Sequence, residues 1–282
     1  MFINYVFYLV FALQIVLLSY YYPKIISARM KQVVEKYPPS THPKLYPESA
    51  AQQQSANNKF IWASRVILGL GFILAAPLFY ALQQNITSTA KMALVPLVFG
   101  LIQAIPYLMI EIISCRHLKL MRQMNTKVTR QAELAPRQLF SFIEPYKVFS
   151  AVVLFLVCIG SIAYFEQFKL TADLLVLLVS MLLSNGLFVV LTLKLLYGKK
   201  LDPYQSNADR SKIITASVNS FVFTSVLISV YLALNRSVDV FGLQDIEIIF
   251  NSLYWQLVAF MSTGSMLRNN AVADLNFEVY RA

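Results

Sequence analysis

Charge is scarce in this chain. Of its 282 residues only 13% are Asp, Glu, Lys or Arg, about half the share of a soluble domain. Histidine is limited to His42 and His117, which argues against a histidine-rich metal centre. The two cysteines, Cys115 and Cys158, suggest neither a disulfide framework nor a thiolate cluster. The sequence also lacks His-Glu-x-x-His, Gly-x-Ser-x-Gly and the phosphate-binding Gly-x-x-x-x-Gly-Lys. Gly69-Leu70-Gly71 is too short for a dinucleotide fingerprint and suits close helix packing better. No two acids fall at the same depth in different apolar segments, as an intramembrane aspartyl dyad requires. Cys115-Arg116-His117 sets a thiol near an imidazole, but neighbouring residues on a helix point different ways. Palmitoylation is the other reading of Cys115. No catalytic residue, metal or cofactor is assigned.

What is abundant is apolar. Hydrophobic residues make up 57% of the chain, and the mean hydropathy is +0.58. They come in long blocks rich in Leu, Ile, Val and Phe, without the strict alternation of a membrane barrel. A helix crossing the hydrocarbon needs about 20 such residues, and only helices or closed barrels satisfy their backbone there. The sequence therefore predicts an all-α integral membrane protein with about seven spans. They fall at 2–22, 60–82, 92–113, 148–165, 173–193, 213–234 and 246–267. The start, Met1-Phe2-Ile3-Asn4-Tyr5, has no basic n-region and no cleavage site follows, so it reads as a retained span.

The loops alternate in charge. Segments 23–59, 114–147, 194–212 and 268–282 carry 6, 7, 5 and 2 Lys or Arg, while the other loops carry only Lys91, Lys169 and Arg236. Basic loops remain cytoplasmic during insertion, so the N-terminus is expected outside and the C-terminus inside. This asymmetry also accounts for the net charge of +10 without nucleic-acid binding. Short outer connections make the last six spans three antiparallel hairpins, all within one polytopic domain, 1–282. Lys44-Leu45-Tyr46-Pro47 faintly echoes Lys200-Leu201-Asp202-Pro203, too little for a repeat. Asn85-Ile86-Thr87 and Asn235-Arg236-Ser237 are formal sequons, expected in outer loops.

On the basic side, Ile26, Met30, Val33 and Tyr37 recur at helical spacing, with Lys24, Arg29, Lys31 and Lys36 mostly off that stripe. This predicts an amphipathic helix on the membrane surface, ended by Pro38-Pro39. The polar run Gln52 to Asn58 reads as an irregular linker. Leu118, Met121, Met124 and Val128 predict a second surface helix among Arg116, Lys119, Arg122, Lys127 and Arg130, broken by Pro136. Leu139, Phe140, Phe142 and Ile143 are then expected to dip into the interface. Such basic helices suit anionic lipid head groups or a cytoplasmic partner, or serve only as topology signals.

Ionisable and amide side chains within spans are functional candidates. Arg65 and Glu111 lie near the same end of consecutive antiparallel spans, so a charge pair is expected, or a snorkelling Arg65. Pro96, Gly100, Gln103, Tyr107 and Glu111 share one helix face. A second stripe holds Glu247, Asn251, Tyr254, Val258, Ser262 and Ser265, and Asn185 and Asn219 sit in the fifth and sixth spans. These stripes can line a solute path or a helix interface. Seven spans with an outer N-terminus match receptors and rhodopsins in count, but the seventh has no lysine for a retinal Schiff base. A membrane enzyme ranks last, since no motif supports it; two functional readings stand above it, transport first. One is a transporter or channel lined by Gln103, Glu111, Asn219 and Asn251, with Arg65 tuning Glu111. The other is a non-catalytic assembly, sensing or scaffold protein using its basic face. Compactness and short loops suggest a bacterial inner membrane.

Overall fold

The computed structural model describes residues 2–84, 92–125, 138–264, 267 and 275–281. Among those residues the regular secondary structure is all helical, with no strand. The helices are α1 (Phe2–Val16), α2 (Tyr22–Lys36), α3 (Ala50–Gln83), α4 (Leu94–Met124), α5 (Pro145–Phe165), α6 (Ala172–Tyr197), α7 (Asn207–Val240) and α8 (Gln244–Ala259). A π-helical turn, Leu17–Tyr21, joins α1 to α2, and another, Phe260–Gly264, extends α8.

Among the described residues six helices are long and apolar enough to cross a membrane: Ile3–Lys36, Ala50–Gln83, Leu94–Met124, Pro145–Phe165, Leu174–Tyr197 and Asn207–Val240. Large apolar side chains cover their outward faces, among them Leu9, Ile73, Leu108, Phe149, Val176 and Leu183. A surface of that kind needs a hydrocarbon solvent. The chain is a multi-pass, all-α membrane protein. The stretch expected as a seventh span contains α8, which at 16 residues is shorter than the six and carries Gln244, Asp245, Glu247, Asn251 and Gln256. Its polarity has a structural cause, because α8 is wedged among α1, α4 and α7.

The interior holds three apolar clusters among the described residues. Phe7, Phe11 and Ile15 of α1 pack with Ile67, Leu78 and Leu82 of α3, Phe99 of α4 and Ile248 of α8. A second core joins Cys158 and Ile162 of α5 to Leu174 and Met181 of α6 and Ala233 of α7. A third, at the other end of these helices, gathers Ile143, Leu196, Ile214 and Val218, with Leu139 and Phe142 against it. The segment expected to dip into lipid thus folds largely onto the protein, with Phe140 left exposed.

Several boundaries differ from the sequence reading. The run Gln52 to Asn58 is not a linker but the first turns of α3. Ser49 accepts from the Gln52 amide at 3.3 Å, and the Gln52 side chain accepts from the Ser49 amide at 3.1 Å. This capping box satisfies two otherwise orphaned donors. The amphipathic segment 22–36 is not a separate surface helix; it continues from α1 and packs against α3. Its stripe of Ile26, Met30 and Val33 is half-buried as expected, and its lysines are exposed.

The sequon Asn235-Arg236-Ser237 lies in the last turns of α7 and not in a loop. That helix closes at Gly242, whose φ of +66° suits glycine. Leu243 donates to the Val238 carbonyl at 2.9 Å and Gly242 to that of Asp239 at 3.3 Å. This is a Schellman closure, and it turns the chain within three residues. The other sequon, at 85–87, the stripe members Val128 and Ser265, and Lys127, Arg130 and Pro136 lie outside the described residues.

Candidate functional site

The buried polar groups centre on α1 and the π turn that follows it. Gln14 is fully buried in an apolar helix, so its amide must find partners or cost several kcal/mol, on the order of 2–7. It donates to the Gln103 amide oxygen at 3.0 Å and to the Pro96 carbonyl at 3.2 Å. Gln103 answers by donating to Ser19 Oγ at 2.8 Å and to the Gln14 carbonyl at 3.4 Å. Tyr107, one turn further along α4, donates to the Leu18 carbonyl at 2.6 Å. Two of these acceptors, Leu18 and Ser19, belong to the π turn itself. Its shifted ladder, with Tyr22 donating to Leu17, displaces backbone groups from their usual i−4 partners. Gln14 Oε1 is buried without a hydrogen bond.

The helix α8 extends this polar seam. Asn251 donates to the Ala93 carbonyl at 2.7 Å and accepts from the Tyr231 hydroxyl at 2.7 Å. The Trp255 indole donates to the Leu97 carbonyl at 3.0 Å. Ser252 and Gln256 both donate to Val10 of α1, at 3.3 and 2.8 Å. Short side chains allow the approach. A Cβ at Gly100 would stand 2.2 Å from the Trp255 indole nitrogen, and one at Gly71 would stand 2.8 Å from the Phe99 ring.

The remaining sequence candidates lie elsewhere. Asn185 of α6 donates to the Ser229 hydroxyl of α7 at 3.1 Å and accepts from Ser225. Asn219 bonds its own helix at Thr215, 2.7 Å away, and accepts from Lys147 at 3.3 Å. Arg65 and Glu111 do not meet. Both are exposed, and among the described residues no ion pair joins them; Glu111 accepts only a long contact from Cys115 at 3.8 Å. Phe60 of α3 stands beside Tyr107 of α4, and Gly71 beside Phe99. That register sets Arg65 and Glu111 about 13 Å apart along the helix axes, and both side chains point away from the bundle. Gln103, Tyr107 and Asn251 are therefore gathered into one seam, whereas Asn185, Asn219, Arg65 and Glu111 are not part of it. Gln14, Ser19, Tyr231, Trp255 and Gln256 complete the seam and were not singled out in the sequence. Gln14 carried a signal, as an amide in the middle of an apolar first span.

At one end of the bundle the basic segments converge. Arg122 of α4 donates to the carbonyls of Lys200 and of Leu201, the second at 3.3 Å. Gln53 bonds Leu45 at 3.4 Å, and Arg116 pairs with Glu48 at 3.6 Å. The C-terminal segment lies across this end. Tyr280 donates to Asp202, Asn276 donates to Asp209 at 3.3 Å, and Lys44 donates to the Arg281 carbonyl. Phe277 stacks on Tyr37 at 4.6 Å, with His42 against the other edge of Tyr37. Burial, then the bond to Asp202, pushes the Tyr280 phenol well above its ordinary value. At the opposite end Arg236 pairs with Glu166, and with Asp239 at 3.6 Å.

An open, shallow depression of about 440 Å³ lies on the surface of α3 beside Ala51, Ser55, Lys59 and Trp62. An apolar cleft of about 240 Å³ lies beside Leu74, Val98 and Ile102. Neither is lined by Gln103, Glu111 or Asn251. Among the described residues no group of His, Cys, Asp or Glu gathers as metal ligands would. Comparison of the chain with known protein families, with curated proteins and with solved structures found no match.

Proposed function

We propose that this chain is a seven-span membrane protein that works by assembly with a partner at its basic face, and not by passing a solute through its interior. The observation that carries this reading is the closure of the interior by direct bonds. The amides of Gln103 and Asn251, the best candidates for a path, are spent on Gln14, Ser19, Tyr231 and Ala93. A path lined by groups already bonded to one another offers little to a passing solute. The basic end, in contrast, presents ordered loops from 37–46, 198–206 and 275–281 fastened together.

The seventh span is α8 with its π extension, made tolerable in hydrocarbon because Asn251, Ser252, Trp255 and Gln256 each bond a carbonyl of a neighbouring helix. The basic end is cytoplasmic by the charge asymmetry, which places the N-terminus outside, and a bacterial inner membrane suits short loops of this kind. The contact of Arg122 with Lys200 and Leu201 supports a shared side for the second and third basic segments.

The second reading, transport, is favoured by one feature: Gln14 Oε1 is buried and unbonded beside a π turn, the kind of irregularity often found at functional sites. Cysteine labelling separates the two. With Gln103→Cys and Asn251→Cys in a Cys115→Ser, Cys158→Ser background, assembly predicts no reaction with a membrane-impermeant maleimide from either side. Rapid labelling at both would establish a water path. In the same background Asn125→Cys and Gln205→Cys are expected to label from the cytoplasmic side together; opposite sides would refute the topology.

A further inference from the structure

The long helix α3 contains no Asp or Glu; its only charges are Lys59 and Arg65. Both are exposed, and among the described residues neither meets an acid. Glu48, the acid that precedes the helix, is already paired with Arg116 at 3.6 Å. The two cations are six residues apart, about 9 Å along the axis, and Trp62 lies midway between them with 69% of its surface exposed. Indole rings collect at the level of lipid head groups. On the side away from the membrane, Gln54, Ser55 and Asn58 share an open, shallow surface of α3 with Lys59 and Trp62. On the other side, Val66, Leu70 and Ile73 continue an exposed apolar surface.

We propose that this face of α3 binds the head group of an anionic phospholipid in the cytoplasmic leaflet. Lys59 and Arg65 bracket the phosphodiester, Arg65 rising to it along its stem as membrane arginines do. Asn58 and Ser55 offer neutral donors to its oxygens, the indole packs at the glycerol level, and the acyl chains lie along Val66, Leu70 and Ile73. Charge is the argument for the occupant, because two exposed cations that meet no acid among the described residues flank one interfacial anchor, and no acid lies on their helix. The face is separate from the packed interior, so the inference stands or falls independently of the assembly reading.

The test uses the full chain in nanodiscs of phosphatidylcholine, with or without phosphatidylglycerol. Bound phosphatidylglycerol is counted by native mass spectrometry and its protection is read as a shift in melting temperature. Phosphatidylglycerol is expected to raise the melting temperature of the unmodified protein. Lys59→Gln and Arg65→Gln should each weaken its binding by about fivefold, the value of one charge near the surface. The charge-keeping pair Lys59→Arg with Arg65→Lys should retain it, and Arg29→Gln with Lys31→Gln on α2 should leave it unchanged. The proposal is overturned if the double glutamine variant binds phosphatidylglycerol like the unmodified protein. It is equally overturned if the α2 variant loses as much, or if inorganic phosphate in phosphatidylcholine discs gives the same protection.

Discussion

At Gly100 a single hydrogen atom decides how closely α4 and α8 approach. Any Cβ there would collide with the Trp255 indole, which is itself held by the Leu97 carbonyl. Gly100→Ala is expected to destabilise by about 1–3 kcal/mol through overpacking, read as a lowered midpoint in thermal unfolding. Gly69 has nothing within 4 Å of the same construction, so Gly69→Ala should be neutral or slightly stabilising. The Gln14–Gln103 pair calls for a double-mutant cycle with leucine at each position. A coupling of about 0.6–2 kcal/mol is expected for an amide pair within a membrane bundle; simple additivity would show that the two amides act separately. Gln103 and Asn251 were legible in the sequence because an amide in an apolar run must find a partner. The Arg65–Glu111 pair was misread because the nominal ends of two spans fix neither the register between the helices, which sets Phe60 beside Tyr107, nor the azimuth of a side chain.

Helix ends were partly legible. The stop at Lys36 before Pro38-Pro39 follows from proline sterics, and α2 does end there. The start of α3 was misplaced because apolarity marks where a helix enters lipid, whereas capping marks where it begins. Ser49 and Gln52 hold that signal at the spacing of a capping box. Ser49→Ala is expected to cost about 1 kcal/mol, concentrated in faster amide hydrogen exchange over 50–53 with the spanning part of α3 unaffected. The π turn had no comparable signature. Its register depends on Gln103 and Tyr107 arriving from α4 to take up the Leu18 and Ser19 groups, which local sequence does not encode.

Across the whole molecule, the C-terminal segment ties loop 37–46, from the α1–α3 side, to loop 198–206 and the first turn of α7, from the α6–α7 side. Tyr280 is the centre of that tie, facing Asp202 and Asp209, with Tyr204 beside it and His42, Glu278 and Lys44 around the segment. Burial also raises the phenols of Tyr204 and Tyr46, and Asp202 adds to the shift at Tyr204. A phenol whose folded-state value is raised stays protonated in the docked state, so docking is fully stable below the unfolded value of about 10 and weakens as pH rises above it. Proteolysis of the C-terminal segment is therefore expected to accelerate above about pH 10. Tyr280→Phe should cut that acceleration while lowering docking at neutral pH, because Asp202 loses its donor.

The amino-acid sequence alone determined that the chain forms several helices long and apolar enough to cross a membrane. That outcome depends on a one-dimensional quantity, apolar length. Only tertiary structure decided that α8 is the polar hub, that Gln14 is the partner of Gln103, and that Arg65 faces outward. Those outcomes depend on which face each helix turns toward its neighbours, and that orientation is set by packing between segments as distant as Val10 and Gln256.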